Sequence, residues 1–165
     1  MRYQKQKNNF ILIMEETTVN REDVVSMVKH WSHIFHLPIL DYPKFPEKER
    51  INLAMELIRE ELAEIHEGIS KRDIREVQDG LGDLLWVALR AMMEFGVDPV
   101  KTIDAIYESN MSKADYTIEA AMETKKKYNE QGIQTYIKIR HDAYITHRAG
   151  DNKVLKSINY KEPKL

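Results

Sequence analysis

Carboxylates recur at helical spacing in two neighbouring stretches of the chain. "REELAEIHEG" carries Glu60, Glu61 and Glu64, and "EVQDGLGDLLWVALRAM" carries Glu76, Asp79 and Asp83. Residues three and four apart share a helix face, so Glu61 with Glu64 and Asp79 with Asp83 each make a stripe of negative charge. At about 100° per residue, Glu61 falls between Ala54 and Leu57, inside the apolar arc of its helix, with Glu60 on the rim. The second stripe runs through Glu76, Asp79, Asp83 and Arg90, flanked by Trp86, Val87 and Ala91. Two such stripes facing each other repel unless cations stand between them. Oxygen donors with no His or Cys among them suit hard cations, Mg²⁺ first and Mn²⁺ as a substitute. Mg²⁺ usually bridges one or two carboxylates to phosphate oxygens, so a phosphate ester or anhydride is the implied substrate class. Gly80 and Gly82 each cost about 1 kcal/mol in a helix interior. In this reading they are kept because a missing Cβ lets backbone and ligand approach closely. The competing reading of the same spacing is two solvated helix faces with paired charges.

The acids are positioned by two helices joined by the short turn "SKRD", which makes them antiparallel neighbours. The first runs from about Glu47 to Ile69, with Ile51, Ala54, Ile58, Leu62, Ile65 and Ile69 on one face; the second continues to about Phe95, apolar on nearly every side, and is closed by Gly96. Upstream, Asn20 as a cap and Val24, Met27, Val28, Trp31, Ile34 and Phe35 at helical spacing predict another helix. Pro38, Pro43 and Pro46 then impose an extended loop. Downstream, Asp98 and Pro99 open a fourth helix, and Thr117 to about Asn129 is a fifth, ending at Gly132. Beyond Gly132 the period shortens to two, and "IQTYIKIR" and "AYITHR", followed by "KVLKS", read as a small antiparallel meander of two or three strands. The expected fold is mainly all-α, an antiparallel bundle of four to five helices with a small C-terminal antiparallel β meander. It divides into a poorly defined segment 1–18, a helical catalytic bundle 19–132, and a meander and tail 133–165 belonging to the same domain.

Composition bounds the partners. A chain of 165 residues supports one domain with a single core. With 25 Lys+Arg against 27 Asp+Glu there is no basic field to hold nucleic acid, and an anionic substrate must be met locally. Zero cysteines exclude disulfides and thiolate metal sites. The apolar run "FILIM" is too short for a signal-peptide core or a membrane span. A soluble, cytoplasmic protein is expected, with Met14 an alternative start. Two facing helix pairs make a thin core for so many apolar residues, and the helix ending near Phe95 is apolar almost all round, which points to a homo-oligomer, a C2 dimer being the commonest closed form.

"EELAE", followed by "DGLGDLLWVALRAMMEFGVDP" and "YESNMSKAD", resembles the all-α nucleoside triphosphate pyrophosphohydrolases, the MazG-like group that includes phosphoribosyl-ATP pyrophosphohydrolase, and within it the phage-type branch. The similarity covers roughly residues 20 to 115 and 150 to 165. That family's signature is EExxE on one helix and ExxD on the next, holding Mg²⁺. Glu60, Glu61 and Glu64 match the first half and Asp83 the end of the second. Three residues before Asp83 stands Gly80, so the role of the first acid of ExxD is carried to Asp79, as in the phage-type branch; Glu76 with Asp79 is a second frame one turn earlier. The resemblance implies metal ligation by Glu61, Glu64, Asp79 and Asp83, orientation of water by Glu60 or a ligand carboxylate such as Glu61, and phosphate contacts from Asn110 and Lys113 in "SNMSK" and from Lys153 and Lys156 in the tail.

The function expected is Mg²⁺-dependent cleavage of a nucleoside triphosphate between the α and β phosphates. The alternative is a helical module that binds nucleotide or a partner without turnover. Trp31 has two readings, a platform for the base or a core aromatic. Arg90 either meets phosphate or pairs with Glu94 four residues on. His30, His33 and His36 recur every third residue, but the outer two diverge by about 120°, an awkward arrangement for three-point ligation. A di-iron site would need Glu-x-x-His on paired helices, and no His stands at that spacing from the four acids.

Overall fold

The computed structural model describes residues 23–165. The segment 1–18, Met14 and the cap expected at Asn20 lie outside the described residues. Among those described, five α-helices precede a two-stranded antiparallel sheet, a mainly helical fold. Helix α1 (Val24–Ile34) is capped by Asp23, whose carboxylate accepts from the Val25 N–H at 3.0 Å. Helix α2 (Lys48–Lys71) ends where Arg72 turns left-handed at φ +55°, and Asp73 then caps α3 (Ile74–Glu94) by accepting from the Arg75 N–H at 2.9 Å. Helix α4 (Pro99–Met111) begins as its sequence dictates: Asp98 accepts from the N–H groups of Val100 and Lys101, and Pro99 occupies the first turn. Thr117 caps α5 (Ile118–Glu130) through the Ala120 N–H.

Backbone contacts divide the chain into two compact units. The first comprises residues 23–39 and Pro46–Glu94, hence α1, α2 and α3. The second comprises Leu40–Phe45 with Phe95–Leu165.

In the first unit α2 and α3 pack antiparallel, as Arg50 with Glu94 at one end and Gly68 beside Val77 at the other establish. Val28, Leu89 and Met93 form its buried core, with Val25, Ile39, Trp86 and Met92 packed against them. This core is smaller than periodicity implies. Of the apolar face expected on α2, Ile65 is buried, whereas Leu62 and Ile69 are exposed. Helix α3 is likewise not enclosed: Ile74, Leu81 and Leu85 each expose more than half of their surface. A period of 3.6 marks which side chains avoid water; it does not tell whether the cover comes from the same chain.

In the second unit, Gly96 follows α3 at φ +66°, and the Tyr42 carbonyl occupies the place of a Cβ, so only glycine fits this turn. The proline-rich segment is fixed there by the Lys44 N–H donating to the Phe95 carbonyl at 2.9 Å. Strands β1 (Thr135–Arg140) and β2 (Ala143–Arg148) pair in register from Thr135 opposite Arg148 to Arg140 opposite Ala143. Both pack on α5, the support that so small a sheet requires. The third strand expected in "KVLKS" shrinks to a single bridge between Val154 and His147. Side-chain bonds take over beyond it, because the tail turns to meet α4 and α5. Ser109 on α4 donates to the Lys161 carbonyl at 2.9 Å, and the Lys161 N–H donates to Ser112 at 2.9 Å.

Candidate active site

The acids of α2 and α3 lie on facing helices of the first unit. Glu61 is half-buried, while Glu60, Glu64, Asp79 and Asp83 are exposed. This corrects the picture of a buried acidic helix: the carboxylates open to water on one side. Partial burial raises the Glu61 pKa first, and the charges of Glu64, Asp83, Glu60 and Asp79, in that order, raise it further. Glu61 therefore senses four carboxylates drawn from both helices. Among the described residues no three of these groups converge tightly enough to enclose an ion by themselves.

Glycines at 80 and 82 separate in role. A Cβ on Gly80 would stand 2.9 Å from Ile65 Cγ1 and 3.3 Å from the Ile65 nitrogen, so this glycine is required by the close approach of α2 and α3 rather than by a ligand. At Gly82 a Cβ would meet nothing within 4 Å. It borders an open hollow together with Asp79 and Asp83, where approach of a ligand is unobstructed.

Of the two frames on α3, the later one joins the cluster. Glu76 accepts from Lys71 at 2.9 Å at the α2–α3 turn and is not among the charges acting on Glu61. Arg90 pairs with Glu94 and lies 5.5 Å from the Trp31 ring centroid, so its guanidinium is used inside the unit. Trp31 belongs to an aromatic group, edge-on to Trp86 at 5.8 Å and 4.8 Å from Phe35. His36 lies beyond the end of α1 at φ +53°, off the helix that carries His30 and His33, which removes a shared histidine face.

Asn110, Lys113, Lys153 and Lys156 lie in the second unit. Lys113 donates to Asn110 across the end of α4. Lys156 donates to Glu162 at 2.9 Å and sits 4.0 Å from the Tyr160 ring centroid. The serines of "SNMSK", which the sequence reading passed over, are the ones that grip the tail. Their spacing of three at a helix end, with hydroxyls able to donate and accept, is the signal that was there to use.

The chain falls in the class of MazG-like nucleotide pyrophosphohydrolases. Residues 28–110 match the model of the phosphoribosyl-ATP pyrophosphohydrolase family, and the chain belongs to that family. The match spans all four proposed metal ligands and ends at Asn110. No curated protein matches the chain at a significant level.

A raised pKa makes a testable statement about stability. Glu61 binds its proton more readily in the folded chain than in the unfolded one, so its charge opposes folding above the raised value. This penalty fades as pH falls through that value toward the ordinary 4.5. In metal-free buffer Glu61→Gln should therefore raise Tm at pH 7, and the gain should disappear as pH approaches 4.5. A gain that ignores pH, or a loss at pH 7, contradicts the assignment of like-charge repulsion.

Proposed function

We propose that the chain is a Mg²⁺-dependent nucleoside triphosphate pyrophosphohydrolase, releasing nucleoside monophosphate and pyrophosphate, with Mn²⁺ able to replace Mg²⁺. The observation that supports this reading is the family match over residues 28–110, which spans Glu61, Glu64, Asp79 and Asp83. Glu61, Glu64, Asp79 and Asp83 would hold the metal. When bound, divalent cations supply positive charge to the phosphate oxygens that gain negative charge as the anhydride breaks. Glu60, on the rim of the same helix, orients the water and accepts its proton as the oxygen attacks the α phosphorus; the bond to the bridging oxygen breaks and pyrophosphate leaves. Asn110, Lys113, Lys153 and Lys156 are proposed as phosphate contacts on the family resemblance; Trp31, given its packing, is better supported as a structural aromatic than as a base platform. Cytoplasmic residence accords with this activity, and among the described residues no helix is long and apolar enough to cross a membrane.

The deciding measurement is pyrophosphate release from a panel of standard and modified NTPs, with Mg²⁺ and with chelator. Metal-dependent release supports hydrolysis; binding of NTP with no release supports a regulatory module instead.

The same reading includes a homodimer. Leu62, Ile69, Ile74, Leu81 and Leu85 expose large apolar side chains on α2 and α3, and a second copy would remove them from water. Light scattering after size exclusion should give twice the 19.5 kDa chain mass. Leu81→Lys with Leu85→Lys should return it to the monomer mass, whereas a wild-type monomer would refute the dimer.

A further inference from the structure

Among the described residues, one cation stands beside the proposed ligands of α3 without a partner. Arg75 borders the open hollow that holds Asp79, Gly82 and Asp83. At about 100° per residue, Arg75, Asp79, Gly82 and Asp83 fall within about 100° of arc, so they share one face of α3. Three other cations of α2 and α3 are engaged: Lys71 pairs with Glu67 and Glu76, and Arg50 and Arg90 both pair with Glu94. Among the described residues the Arg75 guanidinium forms neither an ion pair nor a hydrogen bond. Only the backbone N–H of this residue is used, donating to the Asp73 carboxylate at 2.9 Å.

Helix physics does not favour a cation at this position. Arg75 lies in the first turn of α3, where the positive end of the helix dipole opposes it. A basic residue four positions before an acid is also the weaker order of such a pair, and Asp79 does not draw Arg75 into one. The side chain is exposed, so removing it takes neither packing nor pairing from the fold. What the position offers is a free guanidinium four residues, about 6 Å along the axis, before Asp79. Its N–H groups form a planar fork that matches two phosphate oxygens at once. Four carboxylates face any triphosphate that approaches these helices, and Arg75 is a counter-charge already placed on the same face.

We propose that Arg75 binds the β and γ phosphates of the nucleotide, the pair that departs as pyrophosphate, so that the triphosphate lies along α3 with its terminal phosphates toward the α2–α3 turn. The identity of this diphosphate rests on the hydrolase reading above. As the bond from the α phosphorus to the bridging oxygen breaks, the electron pair stays on that oxygen and the leaving group gains negative charge. Arg75 meets it with a fixed positive charge and gives up no proton.

Calorimetric titration of the full chain with pyrophosphate in Mg²⁺ tests this directly. The wild-type chain should bind, and Arg75→Ala should weaken binding at least tenfold, the loss of charge-assisted hydrogen bonds. Arg75→Lys keeps the charge without the fork and should fall between the two. Mg²⁺ titrated alone should bind Arg75→Ala no more weakly than wild type, because the variant adds no positive charge near the acids. Arg59→Ala is the control: it removes an exposed cation bordering a separate hollow on α2 that contains none of the four proposed metal ligands, and it should leave pyrophosphate affinity within about twofold. Circular dichroism checks each variant. No pyrophosphate binding by the wild-type chain, an unchanged affinity in Arg75→Ala, a loss matched by weaker Mg²⁺ binding, or an equal loss in Arg59→Ala overturns the assignment. NTP hydrolysis that Arg75→Ala leaves untouched, together with unchanged pyrophosphate affinity, would remove Arg75 and keep the hydrolase reading; pyrophosphate held through Arg75 by a chain that hydrolyses no NTP would do the reverse.

Discussion

Asp83→Asn should abolish pyrophosphate release, reducing kcat by about three orders of magnitude, while the far-ultraviolet circular dichroism of the helices stays unchanged. Asp83 is exposed, so replacing a carboxylate oxygen with an amide asks nothing new of the core. It removes one negative charge from the group acting on Glu61 and one oxygen donor from the proposed metal site. Metal-assisted charge stabilisation is worth several kcal/mol in the transition state, and about 4 kcal/mol corresponds to the loss expected. Glu76→Gln supplies the contrast. Glu76 has Lys71 as its partner and does not act on Glu61, so this variant should retain turnover within about threefold, on the general rule that surface substitutions have small effects. If Glu76→Gln abolishes activity and Asp83→Asn does not, the metal frame lies one turn earlier on α3. If neither changes the rate, the carboxylates are solvated helix faces.

That contrast also marks what could be read before any coordinates. Spacings of three and four residues were enough to place Glu61 with Glu64 and Asp79 with Asp83 on shared faces, and the short turn made their helices antiparallel. Capping chemistry located the start of α4 to the residue, since Asp98 followed by Pro99 is a helix-start signal, while the start of α5 was read at Thr117, which is its cap rather than its first residue. Periodicity left open which of two overlapping acidic frames faces α2, because Glu76 and Asp83 differ by two turns on the same stripe. The reason for Gly80 was likewise hidden. The Ile65 side chain that a Cβ would strike belongs to another helix, so the constraint is visible only after packing. The third strand failed for a related reason. Alternation in "KVLKS" is real, but Ser157 is held by Asp115 and Ile158 by Thr124, long-range bonds that draw the segment off the sheet.

Long-range pairing is strongest at Glu94, where the second large effect is expected. The i,i+4 pair with Arg90 is readable from the sequence, but the other partner is Arg50, 44 residues upstream on α2. Glu94 is 3% exposed and Arg90 12%, while Arg50 remains 30% exposed. One buried carboxylate thus serves two guanidinium groups. Burial, and then the charge of Arg50, already lower the Arg90 pKa, so the cation there depends on Glu94 for its counter-charge. Glu94→Gln keeps the shape and two hydrogen-bonding atoms but removes that charge. Breaking a buried ion pair from one side costs about 3–5 kcal/mol, because the remaining charge is left uncompensated. Urea unfolding at pH 7 should show this loss as a lower midpoint with an unchanged m value. Arg50→Ala should cost less, since Arg90 still faces Glu94 and Arg50 is the more hydrated partner. Replacing Glu94 and Arg90 together by Met should recover part of the loss, as apolar packing often equals a buried ion pair. A Glu94→Gln loss below about 1 kcal/mol, the range of a surface pair, would mean that water reaches the triad and that it does not tie α2 to α3.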